Sequence, residues 1–263
     1  MTPVTVIEGS SPIILAQPHS GTWVPVEILE RLAPEARGLP DTDWHIPQLY
    51  DGLGPDATIV RAEFNRYVID ANRPPDGASL YPGQNGTGLV PLVDFEGRPI
   101  WQVEPDEAEI ARRLATFHGP YHAALGAQIA RVRAQHGVAI LYDCHSIRSV
   151  LPFLFEGRLP DLNIGTNSGE ACAPELARAA MRACARDEGF SAVLDGRFKG
   201  GWTTRHYGRP SERVHAIQME IVQDCYLESE APPFAFSPAK AARLRAVLAE
   251  VLGQLRATLG DIA

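Results

Sequence analysis

The sequence predicts a three-layer α/β/α fold around a mixed, mostly parallel sheet. Short β-branched and apolar runs recur along the chain, helical patterns separate them, and several runs are too continuously apolar for half-exposed strands. Val4–Ile7 and Ile13–Ala16 open the series. Thr58–Ala62, Tyr67–Ile69, Val138–Tyr142, Ala192–Leu194 and Ala216–Val222 follow, each bounded by turn-forming residues and each read as a strand. Helical spacing runs through 107–136, where Ile110, Leu114, Phe117, Tyr121, Leu125, Ile129 and Val132 recur every three or four positions, with an interruption at Pro120. The pattern returns over 173–188 and over 238–259, the second as a C-terminal packing helix.

One stretch has no period. Residues 72–101 contain NRPPDGASLYPGQNGTGLVP, dense in Gly, Pro and Asn. A structureless stretch of this length inside a compact domain reads as a functional loop. No repeat, low-complexity tract or Pro/Gly-rich linker divides the chain, so one domain over residues 1–263 is expected.

Composition narrows the class. With 45% hydrophobic and 21% charged residues, the chain can bury a core, which excludes disorder as a global description. The N-terminus lacks a basic region followed by a long apolar one, and no apolar run approaches the ~20 residues of a membrane span. Cys144, Cys172, Cys184 and Cys225 are scattered, with no CxxC pair. The expectation is a soluble, reduced, cytoplasmic protein that engages no membrane. Lys and Arg total 24 against 32 Asp and Glu, a net charge of −8 that disfavours nucleic acid as a partner while leaving room for a small anionic substrate held by local arginines.

Two apolar runs stop at histidine: IILAQPHSG at His19 and ILYDCHSIRS at His145. In open α/β sheets the ligand crevice lies at the carboxyl ends of strands. One such His could simply cap its strand; two in the same context, with acids nearby, point to a metal site completed by a carboxylate. DTDWH offers Asp43, with Asp41 in reserve; either could also be a helix N-cap. Asp143, two residues before His145, shares its strand face and could orient it. AIQMEIV sets Glu220 in an otherwise apolar strand, a costly position unless paired and a fitting one for a general base.

Arginines cluster in predicted loops: Arg66, with Asp70, Asn72 and Arg73 after it; Arg148 beyond His145; and Lys199, Arg205, His206 and Arg209 in KGGWTTRHYGRP. The planar guanidinium suits a carboxylate ligand. Other chemistries fail. GxGxxG, Walker A, GxSxG and HEXXH motifs are absent. Cys144 and His145 are neighbours on a strand and point to opposite faces. His118 and His122 have i, i+4 spacing but no acidic partner, and read as packing or loop-contact residues.

Taken together, QPHSGTWVP, DTDWHIPQLYD, RYVIDANRPPDGASLYPGQNGTGLVP, YDCHSIRSVLPFLFEGRLPDLNIGTNSG, GRFKGGWTTRHYGRP and HAIQMEI, in this order from about Ile13 to Tyr226, resemble the N-formylglutamate amidohydrolase family. The resemblance implies a phosphorylase/hydrolase-like α/β fold related to zinc carboxypeptidases. It implies a divalent metal, zinc by preference, and hydrolysis of N-formyl-L-glutamate in histidine degradation. His19, His145 and Asp43 would be ligands, Glu220 the catalytic glutamate, and Asn72–Arg73 the pair gripping the α-carboxylate. The carboxypeptidase HxxE spacing is missing, since Thr22 stands at that offset from His19. On this scheme Arg205 would assist the oxyanion, and Arg148 or Arg209 would hold the side-chain carboxylate. Competing expectations are a zinc enzyme for another N-acyl acidic amino acid, and a non-catalytic binder of acidic amino acids.

Overall fold

Strands that are apolar at every position need cover on both faces. The computed structural model, which describes residues 2–80, 83 and 85–262, supplies it. Strands β1 (Val4–Ile7), β2 (Ile13–Gln17), β3 (Thr58–Ala62), β4 (Ala139–Ile147), β5 (Leu162–Gly165), β6 (Ala192–Leu194) and β7 (Val214–Val222) form one sheet in the order β1-β3-β2-β4-β7-β5-β6. The helices are α1 (Val26–Leu29), α2 (Ile46–Tyr50), α3 (Glu107–Arg113), α4 (Gly119–His136), α5 (Pro174–Cys184), α6 (Trp202–Tyr207) and α7 (Pro238–Ile262). β2 pairs in parallel with β3 and β4, and β4 pairs in parallel with β7. β1 lies antiparallel on β3, β5 antiparallel on β7, and β6 parallel to β5. The strand latest in sequence, β7, thus sits mid-sheet between β4 and β5.

Alternation along the strands sorts the core into two layers. Ile13, Leu15, Ile140, Tyr142, Ile217 and Met219 face α5 and α7, meeting Leu176, Ala180, Leu244, Leu248 and Val251. Ile14, Ala16, Leu141 and Ala216 face the other way, toward Tyr121, Leu125, Ile129 and Val132 of α4. This is the expected three-layer arrangement. Among the described residues no helix is long and apolar enough to cross a membrane, and all four cysteines are free.

Three local readings need correction. Tyr67–Ile69 is a turn, because the Tyr67 amide donates to Asn65 Oδ1 (3.0 Å) and the Val68 amide to the Asn65 carbonyl (2.9 Å). Buried Arg113 donates to the Val68 carbonyl (3.0 Å), so side chains replace the strand ladder there. The short LNIG run is a strand, β5, whose two apolar residues were too few to register as one. Residues 202–207, expected as loop, form α6. The break at Pro120 takes the form of a π turn over Leu114–His118, in which the Gly119 amide bonds to the Leu114 carbonyl just before the residue that has no amide hydrogen to give. Residues 72–101 carry no strand or helix among those described; positions 81, 82 and 84 lie outside the described residues.

The chain after β2 runs tightly against the chain after β3. The Trp23 amide donates to the Glu63 carbonyl (3.1 Å), and a Cβ on Gly21 would stand 2.5 Å from that carbonyl. Gly21→Ala is therefore expected to destabilise the protein by about 1–3 kcal/mol, read as a lowered melting temperature.

Candidate active site

Every group of the central cluster is delivered by an element end or a strand register. His19 follows β2. Asp43 precedes α2, and its amide donates to the His19 carbonyl (3.1 Å), tying the two segments together. His145 lies in β4 opposite Glu220 of β7 in the parallel register, and both are on the face that carries Leu141 and Ala216. His19, Asp43, His145 and Glu220 are all buried.

Nδ1 of His19 is 3.2 Å from Nδ1 of His145. Asp43 Oδ2 lies 3.2 Å from the His145 nitrogen and 3.8 Å from the His19 nitrogen. Outward from this triangle each imidazole turns its Nε2 to an acid: His19 to Asp70 Oδ1 at 2.6 Å, and His145 toward Asp143 Oδ2 at 3.0 Å, with the Asn72 amide nitrogen at 3.1 Å. Arg66 pairs with Asp43 Oδ1, and the Ser146 amide donates to Asp43 Oδ2 at 3.1 Å. The carboxylate therefore cannot rotate away.

Burial opposes every charge here, and the neighbours decide the outcome. Burial and Arg66 lower His19 despite Asp70 and Asp43. Burial would also lower His145, but Asp143 and Asp43 outweigh it and hold the ring well above the ordinary histidine value. Burial would raise Asp43 and Asp70; Arg66 and His145 keep the first below the carboxylate range, and His19 and Arg73 the second. Burial lifts Glu220 to about 8, against the pull of His145. Gln218 donates to Glu220 Oε2 at 3.0 Å.

The cluster has the character of a cation site. A tetrahedron of ligands at about 2.0–2.1 Å has edges of about 3.3–3.4 Å, close to the donor separations above. Two ring nitrogens at 3.2 Å repel as lone pairs unless a proton or a cation lies between them. Both oxygens of Asp143 and Oδ2 of Asp70 are buried with no hydrogen-bond partner among the described residues. Among the described residues, His19, Asp43 and His145 form a set able to hold an ion.

The cluster forms one wall of a cleft enclosing about 620 Å³ of space open to solvent. Arg66, Arg73 and Arg197 line it. Arg73 is steadied by the Thr87 carbonyl (2.8 Å), Thr87 Oγ1 (3.0 Å) and the Asn72 carbonyl (3.0 Å). Arg197 is held by the carbonyls of Leu154 (3.2 Å) and Asn85 (3.3 Å) and lies over the Phe198 ring.

Several expected residues are elsewhere. Asp41, the reserve ligand, accepts from Tyr67 (2.7 Å), Phe95 (2.9 Å) and Arg148 (3.0 Å), away from the cluster. Arg148 is divided between Asp41 and Glu96 and does not line the cleft. Arg205 turns to the carbonyls of Gly200 (2.9 Å) and Leu80 (3.1 Å). Arg209 is exposed and its backbone pairs with Val214, six residues before Glu220 and so roughly 20 Å away along the strand. Lys199 and His206 are exposed. Asn72 and Arg73 do line the cleft. Sequence reasoning passed over Arg197, although it stands in the GRFKGG segment, and gave Asp70 and Arg66 no part in the cluster.

With this geometry in view, comparison with known proteins is informative. Residues 11–227 match the profile of the N-formylglutamate amidohydrolase family. The chain is 46% identical over 254 residues to the N-formylglutamate deformylase of Pseudomonas aeruginosa, covering 95% of this chain and 94% of that protein. It is 46% identical over 255 residues to the enzyme of the same name from Pseudomonas putida, with the same coverage. The crystal structure of N-formylglutamate amidohydrolase from Ralstonia eutropha JMP134 shares the fold, with a TM-score of 0.82 at 24% identity over 97% of this chain and 98% of that one. A gene product of Agrobacterium tumefaciens does so with a TM-score of 0.76 at 20% identity, covering 99% and 97%. The chain belongs to the N-formylglutamate amidohydrolase family.

Proposed function

We propose that this protein is a metal-dependent amidohydrolase that converts N-formyl-L-glutamate to formate and L-glutamate, as a cytoplasmic step of histidine degradation. The observation that carries the reading is the meeting of His19 Nδ1, His145 Nδ1 and Asp43 Oδ2 beside Glu220, at the wall of an arginine-lined cleft. The activity named for the Pseudomonas relatives supports the substrate. Binding alone would need neither a ligand triad nor a buried carboxyl group beside it.

His19, Asp43 and His145 would hold a divalent cation, zinc by their nitrogen and oxygen donors, and such an ion would supply Lewis acidity that lowers the pKa of water toward about 7. Glu220 removes the proton from the attacking water and returns it to the departing amine nitrogen. Burial raises the Glu220 carboxyl above the ordinary carboxylate range, which makes its ionised form the stronger proton acceptor. Asp70, by fixing Nε2 of His19, leaves that ring's Nδ1 lone pair aimed inward. Arg66 keeps Asp43 aligned and places a cation beside the developing oxyanion. Asn72 and Arg73 take the α-carboxylate, and Arg197 takes the side-chain carboxylate in the part first expected of Arg148 or Arg209.

The direct test is formate release from N-formyl-L-glutamate. Activity is expected to vanish after chelation and to return on adding back a divalent cation; turnover unaffected by thorough chelation would refute the metal reading. N-Acetyl- and peptidyl-glutamate, assayed alongside, separate this enzyme from relatives acting on other acyl groups. Glu220→Gln is expected to lower kcat by about 10²–10⁴-fold while elemental analysis shows unchanged metal content. Arg197→Ala is expected to raise KM for N-formyl-L-glutamate roughly 10–150-fold, with a much smaller effect on N-formyl-L-alanine, which lacks the second carboxylate.

A further inference from the structure

Beside the cleft, α4, α6 and the π turn that ends at His118 assemble a second group of rings that the reaction does not use directly. Centroids are 4.3 Å apart for His118 and His122, 4.5 Å for His122 and Trp202, and 4.4 Å for Trp202 and His206. Neither His118 nor His122 lines the cleft. Both nevertheless reach the segment that does.

His118 Nε2 lies 3.0 Å from the Arg73 carbonyl, and His122 Nε2 lies 2.8 Å from the Ala71 carbonyl. A carbonyl can only accept, so each Nε2 carries the hydrogen, and His122 Nδ1 is left as an acceptor beside the Tyr207 hydroxyl at 3.1 Å, which also lies 3.3 Å from the His122 carbonyl. The two accepting carbonyls flank Asn72. The i, i+4 spacing that sets both rings on one helix face therefore matches the spacing of alternate carbonyls on the facing segment. Burial lowers His118, and burial together with His118 pushes His122 down to about 3, so both rings stay neutral near pH 7.

Asn72 is gripped from its other side by α6. The Thr203 amide donates to Asn72 Oδ1 at 2.8 Å, and a Cβ on Gly201 would stand 2.3 Å from the Asn72 amide nitrogen. The π turn over Leu114–His118 ends at one of the two histidines, a helix irregularity common at functional positions.

We infer that His118 and His122 are positioning residues for substrate binding: by donating to the carbonyls on either side of Asn72, they hold the 71–73 backbone where Asn72 and Arg73 face the substrate carboxylate. This rests on the function proposed above. The rings act on affinity through Arg73 and Asn72 and do not touch substrate.

The test compares His118→Leu and His122→Leu, which remove the donor, with His118→Gln and His122→Gln, whose amide nitrogen lies the same number of bonds from Cβ. His118→Asn, one bond shorter, is a polar second loss variant should the leucine proteins fail to fold. KM for N-formyl-L-glutamate is expected to rise about 10-fold or more in the Leu and Asn variants, with kcat and metal content near wild type, and to recover in the Gln variants. Calorimetric titration with L-glutamate should show the same order. Unchanged KM in the Leu and Asn variants, a loss confined to kcat or metal content, or Gln variants as impaired as Leu would overturn the positioning role while wild-type turnover leaves the functional reading standing. A wild type that neither releases formate nor binds L-glutamate would overturn both.

Discussion

Four carboxyl groups, Asp43, Asp70, Asp143 and Glu220, are buried together where parallel strands end, and their mutual repulsion has to be answered by nearby positive charge. Desolvated charges are costly unless paired and hydrogen-bonded. Arg66 answers Asp43 directly, the His19 ring hydrogen-bonds to Asp70, and Asp143 sits against His145 with neither of its oxygens hydrogen-bonded among the described residues. The same arrangement that makes these charges expensive fixes each donor atom in direction, because every imidazole and the Asp43 carboxylate is restrained at the end facing away from the triangle. Preorganisation and electrostatic cost are two aspects of one construction.

Sheet register brings Glu220 to this cluster. The parallel pairing of β4 with β7 sets His145 opposite Glu220, and the period of two keeps both on one face. A one-residue slip would send Glu220 into the layer occupied by Met219 and Ile221, under α5 and α7. The apolar residues around these positions therefore specify more than stability. They decide which wall of the sheet carries the chemistry. The arginines play a different part: Arg73 and Arg197 line the cleft and are steadied by backbone carbonyls, which set the planes of their guanidinium groups.

The β-rich skeleton and the centre of the cluster were legible in the sequence because each depends on local contrast. An apolar run ending at His19, one carrying His145, and an acid inside AIQMEIV all break a pattern that burial would otherwise keep uniform. The choice of Asp43 over Asp41 is not local: two positions earlier in the chain, Asp41 goes instead to Tyr67 and Arg148. Arg148 looked close because it follows His145 by three positions, yet Asp41 and Glu96 claim it from segments far away in sequence. Arg197 reaches the cleft only because loops after β4 and β6 meet, which no periodicity encodes. Tyr67–Ile69 has strand composition, but Asn65 and Arg113 satisfy its backbone by other means. Tertiary partners overrode local preference there.

The placement of β7 has a consequence for how the chain is made. During synthesis β1 to β6 leave the ribosome before it, so β4 waits with one long hydrogen-bonding edge unpartnered, and β5 and β6 have no neighbour through which to join the rest. An open edge of composition AILYDCHSI invites mispairing with other nascent chains. Insertion of β7 closes that edge and brings Gln218 and Glu220 to the cleft.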